Sequence, residues 1–301
     1  MPEDEVEKLS TEITKRNVFA RHSRENNFYL RRVLELSDTT VIEVFVPGLP
    51  DDIYDEAIQR SDLIERLALL STVFYIKRES LHHRVGIRSR PRAEMDFTIG
   101  PSYRYLKSRS KDEPAVKGII IDQRFCRRFE RLGFSTLAQF SLGDAELSES
   151  LSKSIGWLFA SRLETDLKAS VVKTVIALES LLIFSESESL ARSLSERVAF
   201  MLSPVPDTRT RLSKIIKDFY NARSGIVHGG NRKLLKLSPN ILESVDRLCL
   251  LLYLTIAANH SLWSTKEALQ NWCDSQKWGY STGGINFPYP ENYLENALKL
   301  T

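Results

Sequence analysis

The sequence predicts a mostly α protein, an α+β N-terminal region followed by an all-α antiparallel helical bundle, and three observations carry that expectation. A run rich in β-branched residues, Thr39-Thr40-Val41-Ile42-Glu43-Val44-Phe45-Val46, stops at Pro47-Gly48 as a strand entering a turn does. Short strand-like segments recur near 95–99 and 116–121, the second ending in Gly118-Ile119-Ile120-Ile121. Past residue 150 the apolar residues fall at helical spacing, with short polar connections between periodic segments.

Taken in order, the strand at 39–46 leads to a helix that Asp51 or Asp52 can cap. Its apolar stripe continues through Ile64, Leu67, Ala68 and Ser71 toward Val73. Residues 108–114, Ser-Arg-Ser-Lys-Asp-Glu-Pro, read as an exposed loop between the two short strands. Gly133-Phe134-Ser135-Thr136-Leu137 and the polar 141–150 stretch mark a change of character, which sets the expected domains at 1–140 and 141–301. Residues 154–184 then form one long helix or two joined end to end, with Leu158, Leu163, Leu167, Val171, Val175, Leu178 and Leu182 on one face. A helix over 190–202 is stopped by Pro204 and Pro206, another runs over 208–228, and an apolar helix spans 239–262. The tail after Trp278, with Pro288 and Pro290, is expected to wrap around the bundle.

Composition narrows the class of protein. A length of 301 residues allows about two domains with their own cores. Cys126, Cys249 and Cys273 stand without metal-ligand or redox spacing, and an odd number argues against a disulfide framework, so a reducing cytoplasm is expected. The longest apolar run, 248–258, is too short to span a bilayer, and the acidic start lacks the order of a secretory signal. Net charge is only +3, yet residues 77–131 hold fifteen Lys or Arg against seven Asp or Glu, an excess of eight positive charges. A basic segment interleaved with Phe97, Tyr103, Tyr105 and Phe125 suits a polyanion, with rings for unpaired bases. His82-His83 are adjacent and lack ligands at metal spacing, and no phosphate-cradling glycine loop occurs.

The chemistry points to Phe219-Tyr220-Asn221-Ala222-Arg223-Ser224-Gly225-Ile226-Val227-His228-Gly229-Gly230. The spacing alone is common, since Arg16 with His22 and Arg78 with His83 satisfy it too; context singles out this pair. In a regular helix Arg223 and His228 lie about 140° apart around the axis and about 7.5 Å along it. Either Gly225 loosens the last turn, or the working site combines residues from two copies of the chain.

The pattern Tyr-x-x-Arg-Ser-x-x-Val-His-Gly over Tyr220 to Gly229 resembles the Arg-x4-6-His motif of HEPN domains, in particular the Apea-like branch. Val175-Ile176-Ala177-Leu178-Glu179-Ser180-Leu181-Leu182 resembles that branch's first core helix with its glutamate, and 194–202 its second. The resemblance covers roughly 151–264. It implies a homodimer formed through the bundle and a metal-independent endoribonuclease with no cofactor, in a setting of antiphage defence or toxin-like stress response. Arg223, His228 and Glu179 are the candidate catalytic residues: His228 for proton transfer, Arg223 for the scissile phosphate, Glu179 to orient either. Gly229 would serve as a left-handed cap that leaves His228 at a helix C-terminus, where the dipole favours imidazolium. Gly230 stands where nucleotide-modified HEPN toxins carry tyrosine, so that form of control is not expected, and restraint by the N-terminal half is the alternative. Two other readings remain: a non-catalytic HEPN scaffold binding nucleic acid or a partner protein, and a small-molecule sensor built on the N-terminal half.

Overall fold

The computed structural model describes residues 29–34, 50–76, 94–99, 104–109, 123–185, 189–228, 238–277 and 284–300. The chain forms two compact units, Met1–Asp62 with Ser89–Val116, and Leu63–Arg88 with Lys117–Thr301.

The first unit contains three strands, β1 (Tyr29–Leu34), β2 (Glu94–Ile99) and β3 (Arg104–Arg109), in an antiparallel sheet of order β1-β2-β3. Tyr29 pairs with Ile99, and Phe97 with Leu106. Strand β2 was expected from its strict alternation of Met95, Phe97 and Ile99 with acidic or hydroxyl residues. The other two were not, because Arg31, Arg32, Arg104, Lys107 and Arg109 break that pattern. Ser108 and Arg109, expected in a loop, end β3. The strands expected at 39–46 and 116–121 lie outside the described residues, as does the rest of that loop.

Helix α1 (Pro50–Ser71) follows the expected stripe and ends in a 3₁₀ turn, Thr72–Phe74. Among its described residues the second unit is all-α. Besides the end of α1 it contains α2 (Gln123–Arg131), α3 (Phe134–Ser141), α4 (Glu146–Arg162), α5 (Leu167–Leu182), α6 (Leu190–Leu202), α7 (Pro206–Val227), α8 (Pro239–Ala258), α9 (Lys266–Lys277) and α10 (Glu291–Leu298). The turn from α2 to α3 places Gly133 at φ 83°, a left-handed conformation that L side chains rarely adopt.

Residues 154–184 are broken rather than continuous. Asp166 caps α5, its carboxylate accepting from the amides of Lys168 and Ala169, and Glu164 accepts from Thr165 and Asp166. Those local bonds offer the backbone an exit from the helix, and α5 turns back along α4 instead of extending it. The hairpin seam is small and hydroxylated. Ser161 Oγ donates to the Ser170 carbonyl at 2.8 Å and lies 2.7 Å from Thr174 Oγ1, while Ser154 Oγ donates to the Ala177 carbonyl at 2.6 Å.

Helix α8 is the axis of this unit. From Leu242 to Ala257 nearly every residue is buried, and α3, α4, α5, α6, α7, α10 and the 3₁₀ turn all pack on it. A helix apolar on all sides requires such a surround. Ser238 accepts from the Ile241 amide and Pro239 occupies the first turn, so the helix starts where expected; it ends at Ala258 rather than Leu262. Asn259, buried at its end, exchanges hydrogen bonds with the Asn286 backbone through Nδ2 (2.8 Å) and Oδ1 (2.9 Å). Ser244 Oγ reaches the Ala297 carbonyl. The tail thus runs back along α8, but as a helix, α10.

Two acids stand inside this apolar axis. Arg162, fully buried at the end of α4, donates from Nη1 to Glu243 Oε2 at 2.6 Å and Asp246 Oδ2 at 3.3 Å, and from Nη2 to the Ile76 carbonyl at 2.7 Å. Removing a single partner strands buried charge. Arg162→Met is expected to cost about 3–5 kcal/mol of unfolding free energy, read by denaturant titration, and Arg162→Met with Glu243→Gln and Asp246→Asn to recover much of it. A triple variant as unstable as the single one would show that packing, not charge compensation, is what Arg162 supplies.

The cysteines provide a second check. Burial pushes the Cys273 thiol up to about 12, and burial together with Asp246 pushes Cys249 up. Both stay thiols at neutral pH, whereas Cys126 is exposed on α2. A thiol reagent is expected to modify one cysteine in the native protein and all three after denaturation; fast modification of two or more in the native state would contradict this core.

Candidate functional site

Helix α7 begins with Pro206 in its first turn and buries Leu212, Ile216, Phe219 and Ala222 against its neighbours α5 and α6. The next residues on its outward side are Tyr220 and Arg223, which share an edge with Glu179 of α5. An Arg223 Nη2 to Glu179 Oε2 distance of 3.8 Å makes an ion pair but not a hydrogen bond. Their side chains are 23% and 21% exposed, enough solvent to keep the attraction weak. The Arg223 guanidinium carbon lies 5.9 Å from the centroid of the Tyr220 ring. Burial pushes the Tyr220 hydroxyl up, the Glu179 carboxylate adds to the effect and Arg223 opposes it.

Arg223 is under-used by its surroundings. Its Nε is buried and bonds to no side chain or backbone group among the described residues, and its terminal nitrogen has only the distant carboxylate. A planar fork held with donors to spare is suited to a phosphate oxygen.

His228 sits elsewhere on the helix. The α-helical hydrogen bonding continues to the end, with the His228 amide donating to the Ser224 carbonyl at 3.1 Å, and Gly225 is a buried residue inside a regular turn. A loosened last turn therefore does not bring the pair together. Arg223 and His228 remain about 140° apart around the axis. His228 is exposed, as is Val227 at 51%. The expected cap residue, Gly229, and Gly230 lie outside the described residues, as do His82 and His83.

The structure accordingly unites Glu179, Tyr220 and Arg223, and sets His228 at the helix end. Arg197 points away into the bundle: buried, it donates to the Leu182 carbonyl and lies 4.3 Å from the Phe184 ring centroid. Sequence reasoning passed over Arg162 and its two acids, although a cation following Leu151, Ile155 and Leu158 at stripe spacing was a signal. Glu243 and Asp246 in an otherwise apolar helix were another.

No family model, curated protein or solved structure matches this chain. Among the described residues no group of three or more His, Cys, Asp or Glu is placed to hold a metal ion, and no helix is long and apolar enough to cross a membrane.

Proposed function

We propose that this protein is a metal-independent endoribonuclease of HEPN type, working as a homodimer whose sites combine Arg223 and His228 of two copies. The observation that carries the reading is Arg223 itself, held part-exposed at the edge of α7 with the Glu179 carboxylate only loosely in reach at 3.8 Å. The motif context supplies the rest: an exposed imidazole at the helix end, and the resemblance of the 175–182 and 194–202 segments and the Tyr220-to-Gly229 pattern to that family. Because the regular helix separates the two side chains by about 140°, a second copy across a two-fold axis is the economical way to place an arginine beside a histidine.

In this reaction the 2′-hydroxyl loses its proton to one base and attacks the adjacent phosphorus while the bond to the 5′-oxygen breaks. His228 takes that proton or delivers one to the leaving oxygen, according to its protonation state. Arg223 neutralises charge on the non-bridging oxygens as the transition state forms, and Glu179 positions the guanidinium. The products are a 2′,3′-cyclic phosphate and a free 5′-hydroxyl. A setting in defence or stress response follows from the family resemblance alone. The second reading, a non-catalytic scaffold, draws on the same Glu179 contact: a tighter Arg223–Glu179 pair in the dimer would make the arginine structural.

A panel of end-labelled single-stranded RNAs in chelator decides between them. Wild-type protein is expected to cut with cyclic-phosphate ends, His228→Ala to lose about 10²-fold or more, and Arg223→Ala about 10²–10³-fold. Mixing the two inactive variants is expected to restore up to about a quarter of the activity, because half the dimers then hold one intact composite site. Binding without cleavage across the panel would sink the nuclease in favour of the scaffold, and failure of the mixed variants would sink the shared site.

A further inference from the structure

Helix α2 carries four arginines and a single acid in nine residues. At about 100° per residue, Arg124, Arg127, Arg128 and Arg131 fall within an arc of about 100°, and Phe125, Phe129 and Leu132 on the arc beside it. The apolar arc is consumed by the core. Leu132 is buried, and Phe129 stacks between Phe125 (5.9 Å between centroids) and Phe134 (4.9 Å). That docking fixes which way the arginines look: Arg124, Arg127 and Arg131 are exposed and Arg128 half-buried.

A solvated face on an ordinary helix alternates its charges, and this one does not. Positions 124/127, 124/128, 127/131 and 128/131 are all neighbours on the helix surface with like charge, so each pair is repulsive. Glu130, three residues after Arg127, is the helix's single acid and neighbours that arginine rather than Arg124 or Arg128. Arg124 stands in the first turn, where the helix dipole disfavours a cation, and no acid lies among the described residues of that turn. Neither Arg124 nor Arg131 meets a carboxylate among the described residues. Arg128 is held instead by an aromatic face, its guanidinium carbon 4.3 Å from the centroid of the Tyr75 ring. Tyr75 is 46% exposed, and its hydroxyl is fixed 2.9 Å from that of Tyr293. The ring therefore lies beside the row of guanidinium groups, against Arg128.

We propose that the arginine stripe of α2, with Tyr75 beside it, binds the backbone of a single-stranded RNA. Guanidinium forks at one-turn spacing match a run of phosphates, and their mutual repulsion is relieved when a polyanion covers them. The exposed tyrosine selects single strands, because a base must be unstacked from its neighbours to lie on it. The choice of RNA as the polymer rests on the cleavage reading above; the binding surface does not.

Fluorescence anisotropy with a labelled single-stranded RNA tests this in the full chain, in chelator, on a His228→Ala background that preserves the probe. The parent is expected to bind with log K falling by about 0.7 per neutralised phosphate for each decade of salt, across about 50 to 200 mM. Arg124→Glu with Arg131→Glu, at exposed positions, should weaken binding at least tenfold and lower that slope by about 1.4. Arg124→Lys with Arg131→Lys should keep the slope, which separates charge from any loss of structure. Tyr75→Leu should weaken binding by about fivefold or more with the slope unchanged, and a duplex of the same sequence should bind less well than the strand. No binding by the parent at the lowest salt, or an unchanged affinity and slope in the charge-reversed variant, would overturn the proposal. Tighter binding of the corresponding DNA strand would overturn the choice of RNA. Binding that depends on Arg124 and Arg131 in a protein that cleaves nothing would refute the nuclease and leave this surface standing.

Discussion

The second unit is organised by a constraint that α8 imposes. A helix buried on every side has no solvent in which to place a charge, yet Glu243 and Asp246 sit within its first turns. Ionised carboxylates there are tolerated only beside a cation with matching donors, and Arg162 supplies one while also closing on the Ile76 carbonyl. Three pieces of chain far apart in sequence, the end of α4, the start of α8 and the segment after the 3₁₀ turn, are thereby held in one register. Thr174 and Ser161 extend the network into α5, so the α4–α5 hairpin and the axis share one set of polar bonds. Apolar packing alone would let α8 rotate or slide among its neighbours at little cost; a cluster of directional, fully desolvated bonds does not.

This frame reaches the motif helix through α5. The hairpin presents the outer edge of α5, with Glu179 on it, to α7, and the apolar face of α7 settles against α5 and α6. Once that face is buried, the azimuth of every other residue on α7 is decided by helical geometry. Tyr220 and Arg223 are brought to Glu179, and His228 must look elsewhere. The regularity of the last turn thus keeps Arg223 and His228 on different sides of the helix.

Much of the helical unit was legible in the sequence, because its helix ends are written in local chemistry. Pro204 and Pro206 stop α6 and start α7, and Ser238 with Pro239 opens α8. The break at Asp166 was legible in principle but hidden by apolar periodicity that runs straight through it; the cap won over the period. Helices α9 and α10 are short and partly polar, and their existence depends on docking, α10 against α8 for example, which no local pattern announces. Strand β2 showed itself by alternation, whereas the cation-bearing β1 and β3 did not. At the candidate site the meeting of Glu179 with Arg223 was legible, whereas the conformation at Gly225 was not, since whether it bends a helix is settled by the packing around it.

The arginines show why composition could suggest a polyanion partner without locating it. Arg162 and Arg197 are buried and spend their donors on carboxylates or carbonyls, which makes them parts of the frame. Arg223 is half-committed, part-exposed with one loose carboxylate. On α2, Arg128 lies against the Tyr75 ring while Arg124 and Arg131 stand exposed with like charges one turn away. A fixed positive charge is available to a ligand in proportion to what the fold leaves to solvent, and on that measure Arg162 and Arg197 belong to the frame while Arg124, Arg127 and Arg131 face outward. The same excess of positive charge in the sequence therefore divides by geometry into separate roles, and the division falls along the boundary between what α8 buries and what it leaves to solvent.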